Sequence, residues 1–451
     1  MTKKPHSLSV TSAKDAYQIM RKNDLKRYPH PDRDGSRLYP QAQPVPKASF
    51  QFDETSSIFA LGSCFARNIE NTLSELGMDV LSRNFDFGPI GAHMTHQGNL
   101  FNKYSIHSIL NELTWALEPE THPGEALIYR GEDGAYFDLQ LGMGRLEYSL
   151  DEIRAFRAHY TASIAQIIHA DVIILTLGYV ETWYDKELGH YLNIAPPAQL
   201  IKRYPDRFSF HVQSYDQTLE ALQDIYALLL RHRVKPLRIL TTVSPVPLLN
   251  TFRDMDVLSA NSYSKSVQRA ALEQFTQTSA GVDYFPSYET VTMSDPNLAW
   301  ARDDYRHVSP YLVVHIMRSV IDSYFPQTTP ETTAALHLAE VTAKAQLLNN
   351  REDWDGLWAW LQQHSDLIDQ RVDLLVMLAN CFRNQDAYQE TFDTLIQAWE
   401  MAPERYAILE RLIWLTRPLD LPDQARAFLA LHKDLFGDRH EKFREKITWI
   451  S

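Results

Sequence analysis

Two short segments carry residue types that can make and break an acyl bond. The first is Gly62-Ser63-Cys64-Phe65-Ala66, which follows the apolar run Ser57-Ile58-Phe59-Ala60-Leu61 and leads into a helical pattern from about Arg67 to Leu76. Small residues around Cys64 suit a tight strand-to-helix turn that presents a nucleophile. A helix N-terminus just beyond it supplies unpaired backbone N–H groups. These favour a thiolate, predict a depressed thiol pKa and can hold an oxyanion. A buried structural cysteine is an equally good account of the motif alone. The second segment is Asp303-Asp304-Tyr305-Arg306-His307. Asp304 and His307 stand three apart, so one turn lets the carboxylate fix the imidazole tautomer and leaves the other ring nitrogen as a base. Most isolated pairs of this spacing are surface charge. Here the pair follows the last strand pattern and the cysteine follows the first. Cys64, His307 and Asp304 are therefore the expected catalytic set, and a thiol beside such a pair forms a thioester acyl-enzyme.

These residues meet only if the fold brings them to one edge. Apolar runs at Asp171–Leu177, Leu237–Val243, Val282–Phe285 and Met78–Leu81 join Ser57–Leu61 as expected strands. Ser149 with Glu152, and Ser214 with Gln217, form capping boxes that open helices. Further helices are expected over about Ser262–Thr278 and Pro310–Tyr324. Strands alternating with helices imply an α/β domain with a mostly parallel sheet, and ligands bind beyond the carboxyl ends of such strands. Hairpins are expected around Glu132-Asp133-Gly134 and Leu188-Gly189. Residues 1–50 are polar and proline-rich and read as an extended arm, residues 51–329 as the α/β catalytic domain, and residues 330–451 as all-helical. In that last part Tyr388, Ala398 and Pro403, with Ala425 and Ala430, match a tetratricopeptide-like repeat of about 34 residues. A plain helical bundle fits the same residues.

The residues Gly62 to Ala66 spell the motif that names the GSCFA family, and the chain resembles that family, related to the SGNH (GDSL-type) hydrolases, over about residues 50 to 325. Gly178-Tyr179-Val180-Glu181-Thr182-Trp183, Ser244-Pro245-Val246-Pro247 and the closing Asp304-x-x-His307 support the resemblance. It implies a flavodoxin-like SGNH-type sandwich with a mainly parallel five-stranded sheet. Two departures matter. The SGNH register puts Cys64 at the nucleophile and leaves Ser63 as the alternative if the turn shifts by one. Where those enzymes resemble Gly-x-Asn-Asp, this chain has Val180 and Glu181, so the oxyanion-donating Asn is missing. Asn99, Asn102 or backbone at Gly88 are the expected substitutes, although asparagines more often cap helices or make turns. Glu181 either orients a substrate hydroxyl or pairs with a nearby arginine. Trp183 and Tyr184 either stack on a sugar ring or cover the edge of the core.

The net charge of −13 argues against a general nucleic-acid binder. With 16 glycines and no G-x-G-x-x-G or Walker-type run, nucleotide-driven chemistry is not expected. His93 and His96 lack neighbours to complete a ligand set, so neither a metal nor any other tightly bound cofactor is expected. Two cysteines, no apolar leader and no apolar run of roughly 20 residues point to a reduced cytoplasmic protein without a membrane span. Exchange from a thioester donor such as acyl-CoA onto an enzyme thiol is nearly isoenergetic, and passing the acyl group to a hydroxyl is downhill, which favours a transferase. The resemblance implies a cell-surface glycan or its precursor as acceptor, and the helical part offers a surface for a protein partner. An SGNH-type esterase of O-acylated carbohydrate is the close alternative. A non-catalytic glycan-binding or scaffold protein is the competing class.

Overall fold

The computed structural model describes residues 8–33, 35–85, 100–142, 145–146, 148–233, 235–301 and 304–450, apart from the side chain of Asp438. In chain order the described strands are β1 (Ile58–Gly62), β2 (Ile128–Arg130), β3 (Tyr136–Asp138), β4 (Arg145–Leu146), β5 (Val172–Leu177), β6 (Glu181–Asp185), β7 (His190–Leu192), β8 (Phe208–Val212), β9 (Ile239–Val243) and β10 (Val282–Tyr284). The main sheet has the order β1-β5-β9-β10 and is parallel throughout. β1, β5 and β9 are buried along their whole length, the pattern of strands covered on both faces.

Among the described residues the sheet has four strands, where five were expected. Met78–Leu81 makes only the single parallel bridge Ile58↔Val80, because the chain turns into a 3-10 helix at Leu81–Arg83. A second single bridge, Gly62↔Asn102, lies at the other end of β1. Between the two, the Ala60 N–H donates to the Ser82 hydroxyl at 3.1 Å, a side chain standing in for a ladder partner.

Both expected hairpins form, β2–β3 and β6–β7. β6 also pairs with β8, a strand not anticipated, to give a small antiparallel sheet of order β7-β6-β8.

The first described helices in chain order are α1 (Ala13–Lys22), α2 (Cys64–Glu75), α3 (Ile106–Leu117), α4 (Leu150–Ala165), α5 (Ala198–Arg203), α6 (Tyr215–His232) and α7 (Val257–Thr278). Both capping boxes open their helices as expected, at α4 and α6. Leu222, Ile225 and Leu229 of α6 face the core, which also takes Phe59, Leu61, Ile173, Leu175 and Phe275. The expected extended arm is not extended throughout. α1 forms within it behind the N-cap Ser12, with every residue exposed.

The chain divides into two compact units. One holds residues 1–308 with His315–Thr333, and the other Ser309–Val314 with Ala334–Ser451. The second unit, taken by itself, contains helices and no strand among its described residues. Its core packs Leu374, Leu375, Ala379, Leu395 and Leu409 around Cys381, which is 1% exposed. Among the described residues no helix is long and apolar enough to cross a membrane.

Candidate active site

The turn between β1 and α2 is held by backbone that tolerates no side chain. Gly62 has φ +142°, and a Cβ there would stand 2.1 Å from the Thr176 carbonyl oxygen on β5. Ser63 follows as the N-cap of α2 and is buried. Its hydroxyl accepts from the Phe65 N–H at 3.3 Å and lies 3.2 Å from the Thr176 hydroxyl. Cys64 is the first residue of the helix and is partly exposed.

Cys64 opens on a cavity of about 430 Å³, with walls that include Tyr104, Tyr179, Trp183, Leu248 and Phe252. All four segments singled out in the sequence contribute to it: Ser63 and Cys64, Gly178 to Trp183 apart from Val180, Ser244 with Val246 and Pro247, and Arg306. Tyr104 and Tyr179 are stacked, centroids 5.6 Å apart and 8° from parallel. Gly178 lets the two segments approach, since a Cβ on it would meet the Tyr104 carbonyl oxygen at 2.5 Å. Asn193 ties the segment down: its Oδ1 accepts from the Tyr104 N–H at 2.8 Å and its Nδ2 donates to the Asn102 carbonyl at 2.8 Å.

Glu181 is buried, and its hydrogen bonds among the described residues go to the segment after β9 and not to an arginine. Its Oε1 accepts from the Thr251 hydroxyl at 2.7 Å and its Oε2 from the Phe252 N–H at 3.2 Å. The carboxylate thus anchors the segment after β9 that forms one wall. Trp183 packs edge-on against Phe252 on that wall, centroids 5.1 Å apart. Asn102 is 1% exposed, and its side-chain amide donates to the Tyr104 hydroxyl at 3.4 Å. Gly88, Asn99, His93 and His96 lie outside the described residues.

Beneath the cavity sits a lysine that the sequence did not flag. Lys265, on α7, is 2% exposed, and its Nζ donates to the carbonyls of Gly178 at 2.7 Å and Val246 at 2.8 Å. Burial pulls its amine down to about 7, with the nearby Cys64 thiolate opposing. A signal was present. Lys265 lies one turn before Gln268 and two before Leu272, both on the buried stripe of α7.

The expected depressed thiol is not what the surroundings produce. Burial raises the Cys64 pKa above its ordinary value, outweighing Lys265, Arg306 and the backbone N–H groups of Cys64 and Phe65, all of which lower it.

The loop carrying Asp304 and His307 is closed by the antiparallel bridge Trp300↔Val308 and by the Ala301 N–H donating to the His307 carbonyl at 2.7 Å. Tyr305 adopts φ +53° within it. Asp304 accepts from the backbone N–H groups of Arg306 and His307 through Oδ1 and lies 2.5 Å from His307 Nδ1 through Oδ2. Burial pushes its carboxyl up, but these donors together outweigh that and hold it at about 2. The structure therefore joins Asp304 to His307, and places Cys64 and Arg306 on one cavity. The His307 side chain is 51% exposed, and among the described residues no hydrogen bond links it to Cys64.

A family model described as the GSCFA family matches residues 57–319, more than half of the chain. The chain belongs to the GSCFA family. The matched span contains every residue of this GSCFA site, from Cys64 to His307. No curated protein and no solved structure matches the chain.

Proposed function

We propose that this GSCFA protein transfers an acyl group through a thioester on Cys64, as an O-acyltransferase acting on a cell-surface glycan or its precursor, with an acyl thioester such as acyl-CoA as donor. The observation that carries the reading is the division of labour in the turn after β1. The Ser63 hydroxyl is spent on the helix cap and Thr176, while the Cys64 thiol opens on the cavity. His307 takes the Cys64 proton, the thiolate attacks the donor carbonyl, and the donor thiolate is expelled and takes that proton back from His307. The acceptor hydroxyl then attacks the thioester and gives its proton to the imidazole of His307, held in one tautomer by Asp304, while Cys64 leaves as the thiolate and recovers the proton. Lys265 and Arg306 place positive charge near the thiol and offset part of the effect of its burial. Aromatic walls and a volume of about 430 Å³ suit a sugar ring. The helical unit, with its tetratricopeptide-like pattern, is read as a docking surface for a protein partner.

A non-catalytic glycan-binding role is the second reading, favoured by the raised thiol pKa and by the absence of a Cys64–His307 hydrogen bond among the described residues. Intact mass after incubation with acetyl thioesters separates the two. Transfer requires a single acetyl adduct that is lost in Cys64→Ala and discharged by a sugar acceptor. Absence of any adduct leaves the binding reading, and discharge to water whatever sugar is offered leaves an esterase.

A further inference from the structure

We infer that Arg306 is a recognition residue for an anionic group, a carboxylate or a phosphate, carried by the substrate close to the carbonyl that Cys64 attacks. The inference rests on Cys64 being the reacting group of this cavity. Arg306 and Glu181 are the charged residues in its lining. Glu181 is committed to Thr251 and Phe252. No carboxylate pairs with Arg306 among the described residues, and its Nε is buried without a hydrogen-bond partner. Lys265 adds an amine from below, partly charged near neutral pH and bonded among the described residues to neutral carbonyls. A guanidinium carries five N–H donors and no acceptor, and burying one of them unpaired is costly. A carboxylate or phosphate oxygen satisfies both the charge and the fork of donors. The loop geometry fixes the placement. Asp304 gathers the backbone N–H groups of Arg306 and His307, and the left-handed turn at Tyr305 precedes the residue that lines the cavity.

The test compares two alkylating agents that differ by one carboxylate, iodoacetate and iodoacetamide, on the full chain with glutathione measured alongside. Labelling at Cys64 is followed by mass spectrometry, with Cys64→Ala as background. The iodoacetate-to-iodoacetamide rate ratio should exceed that of glutathione by on the order of tenfold, the scale of one charge-assisted hydrogen bond, and should fall with added salt. Arg306→Met should return the ratio to that of glutathione while iodoacetamide still reacts, and Arg306→Lys should fall between. If Arg306→Met slows both reagents equally, Arg306 serves the thiolate alone and the inference is wrong. It is equally wrong if the wild-type ratio equals that of glutathione.

Two thioester pairs then locate the anion. Succinyl against butyryl N-acetylcysteamine reports a carboxylate on the acyl chain, and acetyl-CoA against acetyl-N-acetylcysteamine reports phosphates on the donor. The pair whose preference vanishes in Arg306→Met identifies the source, and an Arg306-independent result in both removes the substrate claim. An Arg306-dependent alkylation ratio with no acyl adduct from any thioester keeps the anion site and overturns the acyl-transfer reading instead.

Discussion

Replacing Glu181 with alanine removes the anchor of one cavity wall. Two donors from the segment after β9 converge on this carboxylate, the Thr251 hydroxyl at 2.7 Å and the Phe252 N–H at 3.2 Å. Hydrogen bonds to a charged acceptor contribute about 1.5–3 kcal/mol each. Removing a buried carboxylate also relieves its desolvation, which offsets part of that sum, so the wall should lose about 2–4 kcal/mol. That corresponds to a local opening equilibrium on the order of 30- to 1,000-fold more favourable. The end nearer β9 stays pinned, by Lys265 Nζ donating to the Val246 carbonyl at 2.8 Å and by the Leu248 N–H donating to Asn261 Oδ1 at 3.1 Å. Hydrogen exchange at the amides of Phe252 and Arg253 should accelerate accordingly. KM should rise because Phe252 and Trp183 no longer hold their edge-on contact, with a smaller effect on kcat. Glutamine at 181 should be mild: its carbonyl can accept from Phe252 and its amide can donate to the Thr251 oxygen. If Glu181→Gln lowers kcat as far as Glu181→Ala does while exchange at Phe252 stays slow, the carboxylate acts on substrate and the anchoring argument fails.

Glu112→Gln should cost about 3–5 kcal/mol, since Oε1 receives Lys103 Nζ at 2.7 Å and two Arg157 nitrogens at 3.0 Å, all buried; at about 2–4 °C per kcal/mol the melting temperature should drop by roughly 6–20 °C. Burial alone would raise the Glu112 carboxyl, but Arg157 and Lys103 hold it below the ordinary range. Its stabilisation is therefore complete above the unfolded glutamate pKa and lost as pH falls through the folded one, an acid sensitivity that scanning calorimetry should find missing from the variant. Because burial lifts the Cys64 thiol, iodoacetamide labelling of the wild type should keep climbing with pH beyond the ordinary value of 9.0. Lys265→Met removes an amine that is charged mainly below about pH 7, so it should slow labelling several-fold at pH 6, where that charge favours the thiolate, and much less at pH 8; a faster rate at pH 6 would count against the assigned field. Ser63→Ala should lower stability by about 0.5–2 kcal/mol through loss of the cap yet keep the acyl adduct on Cys64. Loss of the adduct here, with turnover surviving in Cys64→Ala, would make Ser63 the nucleophile.

The features that the sequence determined by itself are those set by neighbours a few residues apart. The short runs of β1, β5 and β9, apolar apart from Thr176, Thr241 and Thr242, read as buried strands of a parallel sheet. The boxes Ser149–Glu152 and Ser214–Gln217 satisfy their own backbone donors and start α4 and α6 at the expected residues. Asp304 reaches His307 within one turn of chain. β8 was also written locally, in the alternation Phe208-Ser209-Phe210-His211-Val212, though it went unread. Orientation and environment were decided elsewhere. Ser63 became a cap, and Cys64 the thiol that opens on the cavity, because β5 lies against Gly62 and brings Thr176 to it from 113 residues beyond Ser63. Lys265 lost its water because Gly178 and Val246, from two other segments, offer it carbonyls. The thiol pKa rose rather than fell because the same packing that assembles the cavity desolvates Cys64 more than two cations and a helix terminus can offset. Within the closing loop, it is Arg306 that lines the cavity with Cys64, while the His307 side chain stays half exposed. Hydrogen bonds and periodicity act along a turn of chain. Desolvation and electric field at a site sum over every segment that packs there, and only the assembled structure brings those segments together.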